Sequence, residues 1–171
     1  QSKGATGKIP AKYWMHCNYL QVNGGKMSKS LGNVYTISTL IEKGINPLAF
    51  KLFCFSSHYR NKINFTFEGI ESANKAYARL KEGYNKHREG TEQVDEKVVN
   101  DFKQKFEEAI NDDLNMPMAM GIVWDIIKYP IKSKKFADLL DKFDEVLGLK
   151  IAEKDKNTNN VIPDKVMKLV E

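Results

Sequence analysis

Residues 13–33 read YWMHCNYLQVNGGKMSKSLGN. The first ten, 13–22, are aromatic and β-prone, which predicts a strand, bent near Asn18. Residues 23–33 then form a polar loop punctuated by Gly24, Gly25 and Gly32. Lys26, Met27, Ser28, Lys29 and Ser30 lie inside it, so two ammonium groups stand three residues apart beside two hydroxyls. Lysine is a mobile point charge suited to phosphate oxygens, and flanking glycines let such a loop close on a bound polyphosphate. Adenylate formation needs this kind of help. A carboxylate attacks the α-phosphate of ATP and negative charge moves onto the departing pyrophosphate, so lysines that engage more closely in the transition state lower the barrier. The competing reading is a solvated surface loop, which is what most two-lysine loops are.

Outward from the loop, residues 1–12 read as irregular, with Gly4, Gly7 and Pro10. On the other side the chain turns helical. Thr36 is placed to cap a short helix that Gly44 stops, and Asn46-Pro47 sets a cap and a first-turn proline for the run LAFKLFCF. After the short segment HYRNKINF, Thr66 caps a long helix whose apolar face is Ile70, Ala73, Tyr77, Leu80 and Tyr84. EGTEQVDE (89–96) is a polar connector. Val99, Phe102, Phe106, Ala109 and Ile110 mark a second amphipathic helix. Pro117 opens a third, running through Met118–Lys128 and ended by Pro130. Ser133 is placed to cap a fourth, with Phe136, Leu139, Leu140, Phe143, Val146 and Leu147 on one face. Residues 152–160 are low-complexity and read as mobile, and Ile162-Pro163 opens one more helical turn.

The charge is uneven along the 171 residues. Residues 1–62 hold nine Lys/Arg and a single acid, Glu42, for a net +8, whereas the rest of the chain carries −3. A basic head on a mildly acidic body points to a polyanion at the head: phosphate, nucleotide or nucleic acid. No apolar run is long enough to span a membrane, and the polar start QSKGATGK does not read as a signal peptide. Cys17 and Cys54 form no CxxC and have no paired histidine spacing, so they read as free thiols in a reducing cytoplasm.

The word KMSKS followed by LGN resembles the second signature of class I aminoacyl-tRNA synthetases. A specified five-residue word arises by chance in a chain of this length on the order of once in 10⁴ to 10⁵. Further landmarks resemble the cysteinyl-tRNA synthetase family: Tyr13-Trp14-Met15-His16 before the loop, Ser57-His58-Tyr59-Arg60 and Asn64-Phe65 after it, AINDDLNMP at 109–117, Leu147-Gly148-Leu149, and Ile162-Pro163-Asp164. Two positions depart from the family pattern. Asn18 stands where glycine is common, and Met116 precedes Pro117 where Thr or Ser is common, leaving Asn115 to cap one residue earlier.

The resemblance implies a mainly α chain, with a short β/loop remnant of a Rossmann-type class I catalytic domain followed by an antiparallel helical bundle. The expected division is 1–33 for the end of the catalytic domain, 34–66 for a stem-contact-like connection, 67–150 for a tRNA-binding bundle and 151–171 for a linker and C-terminal start. It implies a cysteine–tRNA ligase acting on cysteine, ATP and tRNA(Cys), as a monomer away from membranes. The ATP-binding HIGH signature and the zinc ligands that read the cysteine thiolate are expected upstream of Gln1, so these 171 residues alone would not charge tRNA. Zinc would belong to the full-length enzyme, with no metal ligand in this chain. By the same carry-over Lys29 is the best ATP-phosphate ligand, with Lys26 and Ser28 in support.

His58, Tyr59, Arg60 and Lys62 form a basic-aromatic cluster suited to RNA backbone contact and stacking; the other reading is a buried Tyr with an Arg tied to a helix end. Trp14 and His16 flank the loop as active-site floor or as core. Asp112 and Asp113 read as capping and solubility residues. Lys132, Lys134 and Lys135 read as a solvated helix start or, less favoured, a tRNA contact. Other functions also stay open: a mycothiol-pathway cysteine ligase of the same fold, another class I synthetase, or a stand-alone RNA-binding module.

Overall fold

A computed structural model describes residues 1–153 of the chain. A five-residue helix, α1 (Ser2–Thr6), buries nothing. An irregular stretch follows, then β1 (Leu20–Val22) and β2 (Gly25–Lys26). A single 3-10 turn covers Lys29–Leu31. The rest is α2 (Ile37–Glu42), α3 (Pro47–Cys54), β3 (Ile63–Phe65), α4 (Phe67–Glu89), α5 (Glu96–Asn111), α6 (Met116–Lys128) and α7 (Lys134–Leu147).

Local chemistry explains where the helices begin. The side-chain oxygens of Thr36, Asn46, Thr66, Asp95 and Asn115 each accept a backbone N–H of the first turn, a contribution of about 1 kcal/mol per cap. Asn115 thus fills the role that Met116 leaves open. Ser133 stands at the N-cap of α7 but makes no side-chain cap bond. Its own N–H instead points at His87 Nδ1, 3.4 Å away in the core.

The strand expected over 13–22 is only three residues long. Residues 13–19 have no regular structure, and Tyr13, Trp14 and His16 are exposed, Trp14 by 70%. Neither Trp14 nor His16 is core. The sequence pattern did not announce β3, nor α1 within the stretch 1–12 read as irregular, nor β2 and the 3-10 turn within the stretch 23–33 read as loop. β3 pairs parallel with β1 (Leu20 opposite Ile63, Val22 opposite Phe65), while β2 pairs antiparallel on the other edge.

Two apolar cores result. The smaller gathers Val22, Leu40, Ile45, Phe65 and Ile70 under the sheet. The larger fills the α4–α7 bundle, with Phe106 and Phe143 stacked at 3.7 Å. The expected faces of the bundle helices match this core except that Ile70 and Ala73 turn to the smaller one and Val146, expected on the buried face of α7, is exposed. Both cysteines are free, and burial pushes the Cys54 thiol pKa up. Of the low-complexity stretch 152–160, Ala152 and Glu153 are described. Its remainder, the helical turn at Ile162-Pro163 and the Asp164 landmark lie outside the described residues. No helix among the described residues is long and apolar enough to cross a membrane.

Candidate functional site

The lysine loop grows out of a tight hairpin. Asn23 and Gly24 both have positive φ, 48° and 77°, the pattern of a two-residue turn whose twist matches the strands. β3 pins the tip: Gly24 N–H donates to Asn64 Oδ1 at 2.7 Å and Asn23 N–H to Phe65 O at 3.0 Å. Met27 packs against the smaller core and anchors the loop from below.

Beyond Met27, Asn33 holds both sides of the loop. Its Nδ2 donates to Lys26 O at 3.0 Å and its Oδ1 accepts Ser28 N–H at 2.8 Å. Ser28 Oγ caps the 3-10 turn by accepting Leu31 N–H at 3.3 Å and lies 3.1 Å from Ser30 Oγ. Gly32 closes the turn at φ 63°. Lys26 and Lys29 are thereby exposed on a braced backbone. No acidic side chain among the described residues makes an ion pair with either one. The arrangement can offer two ammonium groups to phosphate oxygens without first breaking an internal salt bridge. Asn33 is the loop-bracing residue that the sequence reading passed over. Its signal was the LGN that follows the pentapeptide.

The basic-aromatic cluster at 58–62 is engaged within the chain. Arg60 Nε and Nη2 donate to the two Asp113 carboxylate oxygens at 2.7 and 3.1 Å, and Tyr59 O–H donates to Asp113 Oδ1 at 2.6 Å. His58 Nε2 lies 3.0 Å from Asp113 O. Arg60 also covers the Tyr59 ring at 5.0 Å. Bonds from Arg60 and Tyr59 draw the Asp113 carboxyl pKa down to about 2, and the same Asp113 bond raises the Tyr59 phenol. Asp113 is therefore more than a capping or solubility residue, and the arginine is tied to a helix end beside a surface tyrosine. The cost is visible in the backbone, because Asp113 and Leu114 both have left-handed φ, 52° and 55°, a conformation that costs non-glycine residues about 1 kcal/mol or more each. Lys62 stands apart from Asp113, over the Tyr19 ring at 5.1 Å.

The other candidates are dispersed. Lys134 pairs with Asp138, and Lys135 with Glu96. Lys132 Nζ donates to the carbonyls of Ile127 and Tyr129 at the end of α6. Among the described residues no three His, Cys, Asp or Glu side chains converge as a metal site would require. These residues do not fit a zinc centre.

The chain is similar in sequence to known proteins. The family described as "tRNA synthetases class I (C) catalytic domain" matches residues 1–75, which include the hairpin, the lysine loop, α2, α3 and β3. A cysteine–tRNA ligase of Burkholderia lata is 36% identical over 90% of this chain and 32% of its own length. One from Brachyspira hyodysenteriae is 32% identical over 100% of this chain and 40% of its own. One from Legionella pneumophila is 37% identical over 86% and 32%. The chain thus spans between about a third and two fifths of the length of these relatives. The likeness runs on past the family match through the helical bundle, and with it the chain belongs to the cysteinyl-tRNA synthetase family.

Proposed function

We propose that this chain is the lysine-loop and helical portion of a cysteine–tRNA ligase, and that residues 1–33, 34–66 and 67–150 are its catalytic end, its connection and its tRNA-binding bundle. In the first step a cysteine carboxylate oxygen bonds to the α-phosphorus of ATP. The bond from that phosphorus to the bridging oxygen breaks and pyrophosphate leaves. In the second step a hydroxyl of the terminal tRNA ribose attacks the acyl carbon and AMP leaves.

The observation that carries this reading is the pair of exposed ammonium groups, Lys26 and Lys29, on a loop braced by Asn33. Lys29 follows the one loop hydroxyl that caps the turn, so its backbone is fixed while its side chain is free to reach phosphate. Charge accumulates on the departing pyrophosphate, and a lysine that closes on it as it leaves stabilises the transition state more than bound ATP. Lys26 and Ser28 support the same phosphates. Lys62, outside the Asp113 clamp, is the side chain of the 58–62 cluster best placed to meet RNA phosphate. His58, Tyr59 and Arg60 meet RNA only through the faces that Asp113 leaves open.

The test is Lys29→Ala in the intact enzyme. The rate of cysteine-dependent ATP–pyrophosphate exchange falls by about 10² or more, with cysteine KM nearly unchanged. Unchanged exchange kinetics would remove Lys29 from the role.

A further inference from the structure

Between the head of the molecule and its bundle lies a cavity of about 570 Å³, lined by Cys17, Leu20, Cys54, Tyr59, Leu114 and Val146 among others. Helices α3 and α4 contribute side chains to both cores and join head to bundle away from this cavity; at the cavity itself the joint is held by polar ties on its rim. One tie runs through Asp113. Its carboxylate holds Arg60 and Tyr59. The backbone of these two residues in turn holds Asn18: Asn18 N–H donates to Tyr59 O at 2.9 Å, and Asn18 Nδ2 donates to Arg60 O at 3.0 Å. Two residues later the chain enters β1, and β1 carries the hairpin with the lysine loop. A second tie, Lys51 Nζ donating to Gly148 O at 3.2 Å, joins α3 to the end of α7.

We propose that Asp113 is a positioning residue: from the α5–α6 turn, through Tyr59, Arg60 and Asn18, it sets the orientation of the lysine-loop hairpin relative to the helical bundle. This rests on the ligase reading for its consequence. Adenylation takes place at the loop and does not need the bundle. Transfer to tRNA needs the nucleic acid on the bundle and the adenylate at the loop to be in register, and small misplacement of reacting groups costs rate steeply. The left-handed backbone at Asp113 and Leu114 fits this role, because strain persists where the surrounding bonds over-determine it.

The experiment uses the full-length protein with Asp113→Ala and the isosteric Asp113→Asn, each with three measurements. Pyrophosphate exchange reads adenylation. Single-turnover transfer from preformed adenylate reads the second step, with tRNA affinity measured alongside. Hydrogen exchange at the Asn18 amide reads the tie itself. For Asp113→Ala we expect adenylation within about twofold of wild type, transfer slowed roughly tenfold or more, tRNA Kd changed less than about threefold, and faster exchange at Asn18 with α7 still protected. Asp113→Asn, which keeps an oxygen for Arg60, should recover most of the transfer rate. Equal loss in both steps, a weakened tRNA Kd in place of a slower transfer, or an unchanged Asn18 amide would each overturn the proposal. If the wild-type protein neither activates cysteine nor charges tRNA, the ligase reading fails, and the Asn18 amide still decides whether Asp113 positions the hairpin.

Discussion

Asn33 and Ser28 are joined by a 2.8 Å hydrogen bond from the Ser28 N–H to the Asn33 side-chain oxygen, and the other end of the same amide holds Lys26 O. One side chain therefore determines the backbone path between the two lysines. Asn33→Asp keeps the acceptor for Ser28 and loses the donor for Lys26, while placing a carboxylate among the ammonium groups. The expected outcome is a cysteine-dependent exchange rate lowered by about tenfold, with Asn33→Ala comparable or worse. A parallel measurement is hydrogen exchange at the Ser28 amide, which should lose protection in Asn33→Ala.

His87 is fully buried, with Nε2 2.8 Å from Ile126 O and Nδ1 facing the Ser133 N–H. Nδ1 accepts here, so a proton on it would set N–H against N–H. Burial holds the imidazole pKa below its ordinary value of 6.5. An unfolded chain takes up this proton before the folded one does, so stability is full above about pH 6.5 and declines as pH falls below it. Thermal unfolding followed between about pH 5 and 8 should show this decline, and His87→Phe should flatten it at a lower overall Tm.

Asp113 behaves differently. Its carboxyl pKa is pulled down to about 2 by Arg60 and Tyr59, below the ordinary carboxylate value of about 3.9. Its contribution is present above that ordinary value and is lost as pH falls through about 2. An NMR titration of the Asp113 carboxyl carbon should find it ionised down to about pH 3 in wild type and at a higher pKa in Arg60→Gln.

Gly83 lies where α4 meets α6, and a Cβ there would collide with Ile127 Cγ2. Overpacking of this kind costs about 1–3 kcal/mol, against about 1 kcal/mol gained from helix propensity. Gly121, in α6, has nothing within 4 Å of an added Cβ. Calorimetry should therefore find Tm lowered in Gly83→Ala and raised in Gly121→Ala.

Helices α2 to α7 were legible because each carries its own signals, whereas α1, with no side-chain cap and no buried face, was read as irregular. Asn46-Pro47, Thr66 and Asn115 cap the starts that they mark, and the apolar stripes of α4 to α7 face the core. The lysine loop was legible as a word. What stayed hidden was pairing at long range. β3 is three residues with no period to detect, and the expected strand at 13–22 shrank to Leu20–Val22 because those are the residues that pair with β3, Gln21 and Val22 pairing with β2 as well. The Asp113 clamp was hidden for the same reason, since Arg60 and Asp113 are 53 residues apart. The basic-aromatic run at 58–60 looked outward in sequence because its acid lies on another element.

The parallel pairing of β1 with β3 also bears on how the chain folds. The hairpin turn at Asn23-Gly24 is local and can close within microseconds. Its anchor cannot, because Gly24 and Asn64 are 40 residues apart and everything between them must be enclosed by the contact. Such long-range closure is slow relative to helix formation and gains its stabilisation only when complete. The hairpin that carries the residues proposed to grip phosphate is therefore held to β3 only once the segment containing α2 and α3 has closed.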